Sequence, residues 1–172
     1  MEITLTTPKI YVACLAAYNS GILHGQWIDA NQEPEAIHAE IQDMLGASPV
    51  LGAEEWAIHD YEGFEGLRLS EYEGVERVVE IAGFIDEYGA AWARYAEYVG
   101  LEYATKEGFE DAYQGEWDSE EDFAEHLADD TMEIPERLQF YIDYEKIARE
   151  LFLTDYFSAK GDGYKVHVFQ HL

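Results

Sequence analysis

Thirteen carboxylates lie between Lys106 and Arg137, running from Glu107 to Glu136, and no Lys or Arg interrupts them. The densest part is Asp118, Glu120, Glu121, Asp122, Glu125, Asp129, Asp130 and Glu133. Within it Glu121, Glu125 and Asp129 stand at i, i+4 and i+8, a like-charge ladder that costs a helix on the order of 0.2–0.5 kcal/mol per pair. The helix dipole favours acids in a first turn, which accounts for Glu120, Glu121 and Asp122 but opposes Asp129 and Asp130 at the far end. A second run, from Lys9 to Arg68, holds ten acids between Asp29 and Glu65 and again no Lys or Arg. Its helical part carries Glu33, Glu35, Glu40 and Asp43. The chemistry open to such displays is the capture of cationic surfaces, since stability alone would place a Lys in the ladder.

Other chemistries fit less well. Two carboxylates can perform acid and base work, but with 37 acids in the chain some pair always lies close, so that pattern points to no hydrolase. Asp118, Glu120 and Asp122 alternate like the ligands of a calcium loop, yet Phe123 stands where such a loop needs Gly for its turn. His167 and His171 are four apart in a predicted strand and its tail, so they need not share a face. His59-Asp60 and Glu125-His126 are neighbours that point apart in regular structure. No phosphate-cradling glycine loop, nucleophile elbow or zinc spacing is present. We therefore expect no catalytic residue, no metal and no cofactor. Cys14, the single cysteine, has no disulfide partner and reads as a small core hydrophobe.

The elements that must position these acids follow from periodicity. Pro8 to Tyr18 reads as a strand, Asn19-Ser20-Gly21 as a turn, and Ile22 to Asp29 as a returning strand. Pro34 suits a first helical position, with Ile37, Ile41, Met44 and Leu45 on one face and Gly46 as the stop. Glu54 to Tyr61 is a third strand. Ser70 to Glu73 has the form of a capping box for a helix whose Val75, Val78, Ala82 and Ile85 face inward, ending at Gly89. Trp92, Tyr95 and Val99 mark a further helix that stops at Gly100. Ser119 to Asp122 is a second capping box, opening a helix with Phe123 and Leu127 inward. Phe140, Tyr144, Ile147 and Leu151 form another helical stripe, Gly161-Asp162-Gly163 a turn, and Tyr164 to Phe169 a closing strand. Gly25 to Asp29 followed by its helix echoes Gly115 to Asp118 followed by the Ser119 helix, two strand-then-helix units. The reading is α+β in three parts: 1–62 mixed, 63–102 a small helical middle, and 103–172 mixed.

Composition bounds the rest. A formal charge of −27 could signal disorder, but 48% apolar and 15% aromatic residues supply an ample core. Met1 to Thr7 has an acid at Glu2 and no basic region ahead of an apolar run, so no signal peptide is expected. No window has the length of a membrane span, and a cytoplasmic protein is expected. Direct nucleic-acid binding is the function this chain supports least, because basic patches are missing. Duplex DNA carries about one charge per 1.7 Å of axis, so 27 charges at that density would imitate roughly 46 Å of duplex. Carboxylates at i, i+4 lie about 5–6 Å apart along a helix, and an enzyme with a basic DNA channel would bind such an array and release counterions. Adaptation to a salty cytoplasm would also give an acidic, Lys-poor chain.

Several segments resemble one family. Tyr18-Asn19-Ser20-Gly21, then Gly25-Gln26-Trp27, then Ile58-His59-Asp60-Tyr61-Glu62 are similar to the N-terminal pattern of the ArdA antirestriction proteins. Tyr141 to Phe152, YIDYEKIARELF, resembles that family's C-terminal signature, and length, acidity and Tyr content match along the chain. The resemblance implies a DNA mimic, encoded mostly on mobile elements. It would occupy the DNA channel in the methyltransferase core of type I restriction-modification enzymes and protect incoming DNA. It also implies an elongated fold with α+β first and third domains flanking the helical middle one, and a homodimer joined through the third domain. On that basis Tyr141, Tyr144, Ile147, Leu151 and Phe152 are candidate dimer contacts, with core packing as the other role open to them. A general acidic adaptor or chaperone that shields basic proteins is the alternative function.

Overall fold

Ile10, Val12 and Cys14 are fully buried on alternate positions, and they make the centre of the first sheet. The computed structural model describes residues 6–172. In the first part of the chain, strand β1 (Lys9–Cys14) is followed by a short helix α1 (Leu15–Asn19), strand β2 (Gly25–Asp29), helix α2 (Pro34–Gly46), strand β3 (Trp56–Glu62) and helix α3 (Val75–Tyr88). The strands form an antiparallel sheet in the order β2-β1-β3. The chain divides into two compact units, Met1–Gly89 and Ala90–Leu172.

The first strand is shorter than its apolar run suggests. Residues 15–19 turn helical because the Ala17 carbonyl accepts from the Ser20 and Ile22 amides, while the Cys14 amide reaches the His24 carbonyl. The expected hairpin therefore forms, with a helical turn inserted at its tip. Helix α2 starts as expected, with Pro34 at its first position, and buries Ile37, Ile41, Met44 and Leu45. Gly46 is its last helical residue and Ala47 the cap, so the glycine does not terminate it through a left-handed turn. Ser70 to Glu73 is not a helix start: the Glu73 amide bonds the Ser70 carbonyl in a turn, and α3 opens only at Val75 behind Gly74. The stretch expected to be all helical thus begins with an irregular segment. Gly63 and Gly66 take positive φ there, and so does Glu65 at 52°. Val75, Val78, Ala82 and Ile85 are buried on α3, which Gly89 terminates at φ 59°.

The second unit holds α4 (Ala90–Val99), α5 (Lys106–Ala112), β4 (Tyr113–Trp117), α6 (Glu120–Thr131), α7 (Glu136–Gln139), α8 (Tyr144–Thr154), β5 (Tyr156–Lys160) and β6 (Val166–Gln170). Its sheet is antiparallel in the order β4-β6-β5. Val168 and Phe169 on the central strand are fully buried, and Phe169 stacks on Phe157 at 4.9 Å between centroids. Tyr95 and Phe109 complete that aromatic core, each with its ring within 6.2 Å of Phe169. The echo read in the sequence is structural: β2 leads into α2, and β4 leads into α6. The fold is mixed α+β, with eight helices and two small sheets among the described residues.

A Cβ on Gly25 would collide with the Val12 carbonyl oxygen and press the Tyr11 ring tip at 2.9 Å. Overpacking of this kind typically costs about 1–3 kcal/mol. Gly25→Ala should lower the stability of the first unit by that amount in a chemical melt, whereas Gly46→Ala, which meets open space, should not.

Candidate functional site

Helix α6 is anchored by its own sequence. Ser119 sits in extended conformation and its hydroxyl accepts from the Asp122 amide at 3.0 Å, so one orphan donor of the first turn is satisfied. Phe123, Ala124 and Ala128 face inward, while Leu127, expected inside, is only half-buried. Phe123 is the fastening point, with its ring edge-on to Tyr156 at 5.0 Å, Trp117 at 5.4 Å and Phe152 at 5.9 Å. With that face fixed, Asp118, Glu121, Asp122, Glu125, Asp129 and Asp130 are all exposed, and Glu133 is exposed just beyond the cap at Met132.

Glu120 behaves differently from its neighbours. It is half-buried, and its carboxylate accepts a 2.6 Å hydrogen bond from the Ser158 hydroxyl on β5. It therefore ties α6 to the sheet instead of facing solvent with the rest. Glu125 and Asp129 lie on the side of α6 that meets α8: burial first, then their two charges, raise the Tyr144 phenol above its ordinary value. His126 stands 3.3 Å from Asp130 and against the Trp117 ring, so it trims the charge at one point of the array when protonated.

The fold returns cations that the linear run had hidden: Lys165 stands 3.6 Å from Glu116, and Arg149 joins the surface around α6. An open pocket of about 470 Å³ is bordered by Asp118, Ser119, Glu121, Glu145, Tyr164 and Arg149. Arg149 is exposed and bonds Glu145 at 3.1 Å, one turn earlier on α8. Sequence reasoning missed it because the Lys- and Arg-free interval ends at Arg137, whereas α8 packs back against α6. Exposed pairs of this type contribute little to stability, so Arg149 is available to exchange partners.

On α2, Glu33 is the cap residue without a side-chain cap bond, Glu35 lies in the first turn, and both are exposed, as is Asp43. Glu40 is half-buried and accepts from the Gln32 amide at 2.7 Å, a local tether. The candidate dimer contacts are split by the structure. Tyr144, Ile147 and Leu151 are half-buried on α8. Phe152 is turned inward to Phe123 and Tyr156, and Tyr141 is 78% exposed ahead of the helix. Phe140, placed in the helical stripe by spacing, lies outside any helix and is 91% exposed.

A second missed group is His167 on β6. It is buried, hydrogen-bonded through Nδ1 to the Tyr113 phenol at 3.0 Å, and 3.9 Å from Glu116. Burial pushes its pKa below 6.5, against the opposing pull of Glu116 and Asp162, with Arg94 adding a smaller downward push. Alternation around Val166 and Val168 would have turned it outward; it is buried because three consecutive residues of the central strand, His167, Val168 and Phe169, are covered on both faces. Cys14 is fully buried, as its setting suggested, and lies 3.4 Å from the Ser48 hydroxyl. Among the described residues no helix is long and apolar enough to cross a membrane, and no group of three or more His, Cys, Asp or Glu is placed to hold a metal ion.

The family model described as antirestriction protein (ArdA) matches this chain over residues 10–166. No curated protein matches it. The matched span contains every candidate acid and strands β2 to β5, and it reaches β6 only at Val166.

Two measurements check this geometry. Ser119→Ala removes the cap and should cost about 1 kcal/mol. Because the folded protein holds His167 below its unfolded pKa, the unfolded chain binds more protons just under pH 6.5. Stability from this group is therefore full above that pH and is lost as pH falls through it. His167→Gln should remove that part of the pH slope, seen by comparing denaturant midpoints of the two proteins on either side of pH 6.5.

Proposed function

We propose a mechanism from the premise that this chain belongs to the ArdA family of antirestriction proteins. The protein acts as a mimic of duplex DNA. It occupies the DNA channel in the methyltransferase core of a type I restriction-modification enzyme and shields incoming mobile DNA from cleavage. The observation that carries this reading is the exposed acidic face of α6, whose opposite face is fastened to the second sheet by Phe123. A charge array on a rigid helix enters a channel without paying the ordering entropy that a flexible acidic tail would. Its carboxylates stand in for phosphates collectively, at helical spacings of about 5–6 Å, and binding gains from counterion release at the enzyme's basic surface.

The effective array is smaller than the sequence list. Asp118, Glu121, Asp122, Glu125, Asp129, Asp130 and Glu133 are displayed, with Glu33, Glu35 and Asp43 as a second set, while Glu120 and Glu40 serve the scaffold. No step makes or breaks a covalent bond; inhibition is equilibrium occupancy in the cytoplasm. Residues 103–172 form the third functional region. They supply the main array and the homodimer contacts, with exposed Tyr141 beside half-buried Tyr144, Ile147 and Leu151 as the surface for a second copy. Two copies would lengthen the imitated duplex.

Competition for a labelled duplex bound to a purified type I methyltransferase core tests the collective model. Asp122→Asn, Glu125→Gln or Asp129→Asn alone should weaken displacement about two- to fivefold, the scale of an exposed ion pair. Reversing five of the displayed acids together should weaken it by about a hundredfold or more. Abolition of activity by any single neutralisation, in a protein that remains folded, would contradict collective mimicry.

A further inference from the structure

We propose that the first unit carries an anchor pocket for an arginine side chain of its partner, built from Tyr18, His59 and Glu71 over a floor of Ile58 and Leu69. The proposal rests on the mimicry reading for the identity of the partner and goes beyond it in giving that partner a specific point of attachment.

The pocket is open and has a volume of about 390 Å³. Its position follows from an irregularity in the sheet. Tyr11 pairs with Asp60 and Val12 with Ile58, so His59 is the extra residue of a bulge in β3. A bulge re-aims the side chain it adds, and such features gather beside functional sites. The His59 ring meets the Tyr18 ring edge-on, with centroids 4.7 Å apart and planes at 81°. Its Nε2 is 3.6 Å from the Glu71 carboxylate, too far for a hydrogen bond to lock the pair together. Glu71 is delivered by the irregular segment after β3, whose Glu71 carbonyl accepts from the Ile58 amide at 2.9 Å. Ile58 and Leu69 are buried, whereas Tyr18 is 54% exposed.

Two features separate this pocket from the general acidity of the protein. Tyr18 and His59 come from two of the three N-terminal segments that carry the family resemblance, and neither is an acid, so an array of charges needs neither. An exposed tyrosine held against a histidine is also no contributor to the core. The lining offers one carboxylate, an aromatic face and an apolar floor, and it contains no Lys or Arg.

An arginine satisfies all three at once. Its planar head stacks on an aromatic ring and presents paired N–H donors to a carboxylate, while its methylene stem covers apolar surface. A lysine ammonium matches the charge and lacks the planar fork. A nucleotide would bring its phosphate against Glu71. Charge complementarity selects the source: an enzyme that holds DNA offers arginines in its channel, and this chain arrives with a formal −27.

The test begins with the intact, isotope-labelled protein, followed by NMR during titration with N-acetyl-arginine amide, N-acetyl-lysine amide, the neutral citrulline analogue, and AMP. The arginine probe should shift the amides of Tyr18, His59 and Leu69, and bind at least about threefold tighter than the lysine probe. Citrulline should leave them unmoved. Equal binding of arginine and lysine, shifts only elsewhere, or tighter binding of AMP would overturn the proposal.

Tyr18→Ala and Glu71→Gln, checked for folding by circular dichroism, should then weaken displacement of duplex from the methyltransferase core about three- to tenfold. Asp86→Asn, an exposed acid on α3 outside the pocket, loses the same unit of charge as Glu71→Gln and should leave displacement nearly unchanged. Pocket variants that behave like Asp86→Asn would overturn the anchor while leaving mimicry intact. Wild-type protein that binds the arginine probe at these amides but never displaces duplex would support the pocket and sink the mimicry reading.

Discussion

Self-repulsion is the constraint on which the rest of this structure depends. A formal −27 on 172 residues pushes against compaction, and few internal cations relieve it. The opposing force is aromatic and aliphatic burial. Phe169, Phe109, Trp92 and Phe123 in the second unit, and Ile10, Val12, Ile37 and Ile41 in the first, are almost wholly removed from water. Each large apolar side chain so buried contributes about 1.5–3 kcal/mol, which is what permits like charges to stand in ladders on helix surfaces. The aromatic richness and the acidity are two sides of one arrangement: the first fixes helices firmly enough for the second to be displayed.

The helices were legible where local chemistry and burial agree. Pro34 with Ile37, Ile41, Met44 and Leu45 defines α2 from sequence, and Ser119 with Phe123 defines α6, because caps and periodic apolar positions act within a few residues. Legibility failed where distant partners decide. Tyr18 belongs to an apolar run that reads as strand, yet the Cys14 amide bonds the His24 carbonyl and the Leu15 amide the Glu55 carbonyl, and the chain turns helical from there. Ser70 to Glu73 has the residues of a capping box but is held beside β3, where the Glu71 carbonyl accepts from the Ile58 amide. Strand β5 went unread, since its half-buried residues gain their place only by pairing with β6.

The same division runs through the candidate surface. Spacing identified which acids share a helix, and exposure agrees for most of them. What spacing could not tell is which acids the scaffold consumes. Glu120 is engaged by Ser158, 38 residues away in the chain, and Glu40 by Gln32. Arg149 re-enters the acidic surface for a similar reason, through the packing of α8 on α6. Tyr18 and His59 likewise meet only because the first sheet brings their segments together. On the proposed reading, antirestriction by this chain is a property of rigid display, in which each acid matters through its place on an element.

The central claim is that shape, and not charge alone, directs binding. The most direct measurement titrates this protein and unstructured polyglutamate of equal charge against a type I methyltransferase core bound to labelled duplex at moderate salt. The account predicts displacement near stoichiometric amounts by the folded protein and none at matching charge by the polymer. Equal displacement by both would contradict it and reduce the molecule to a general shield for basic proteins.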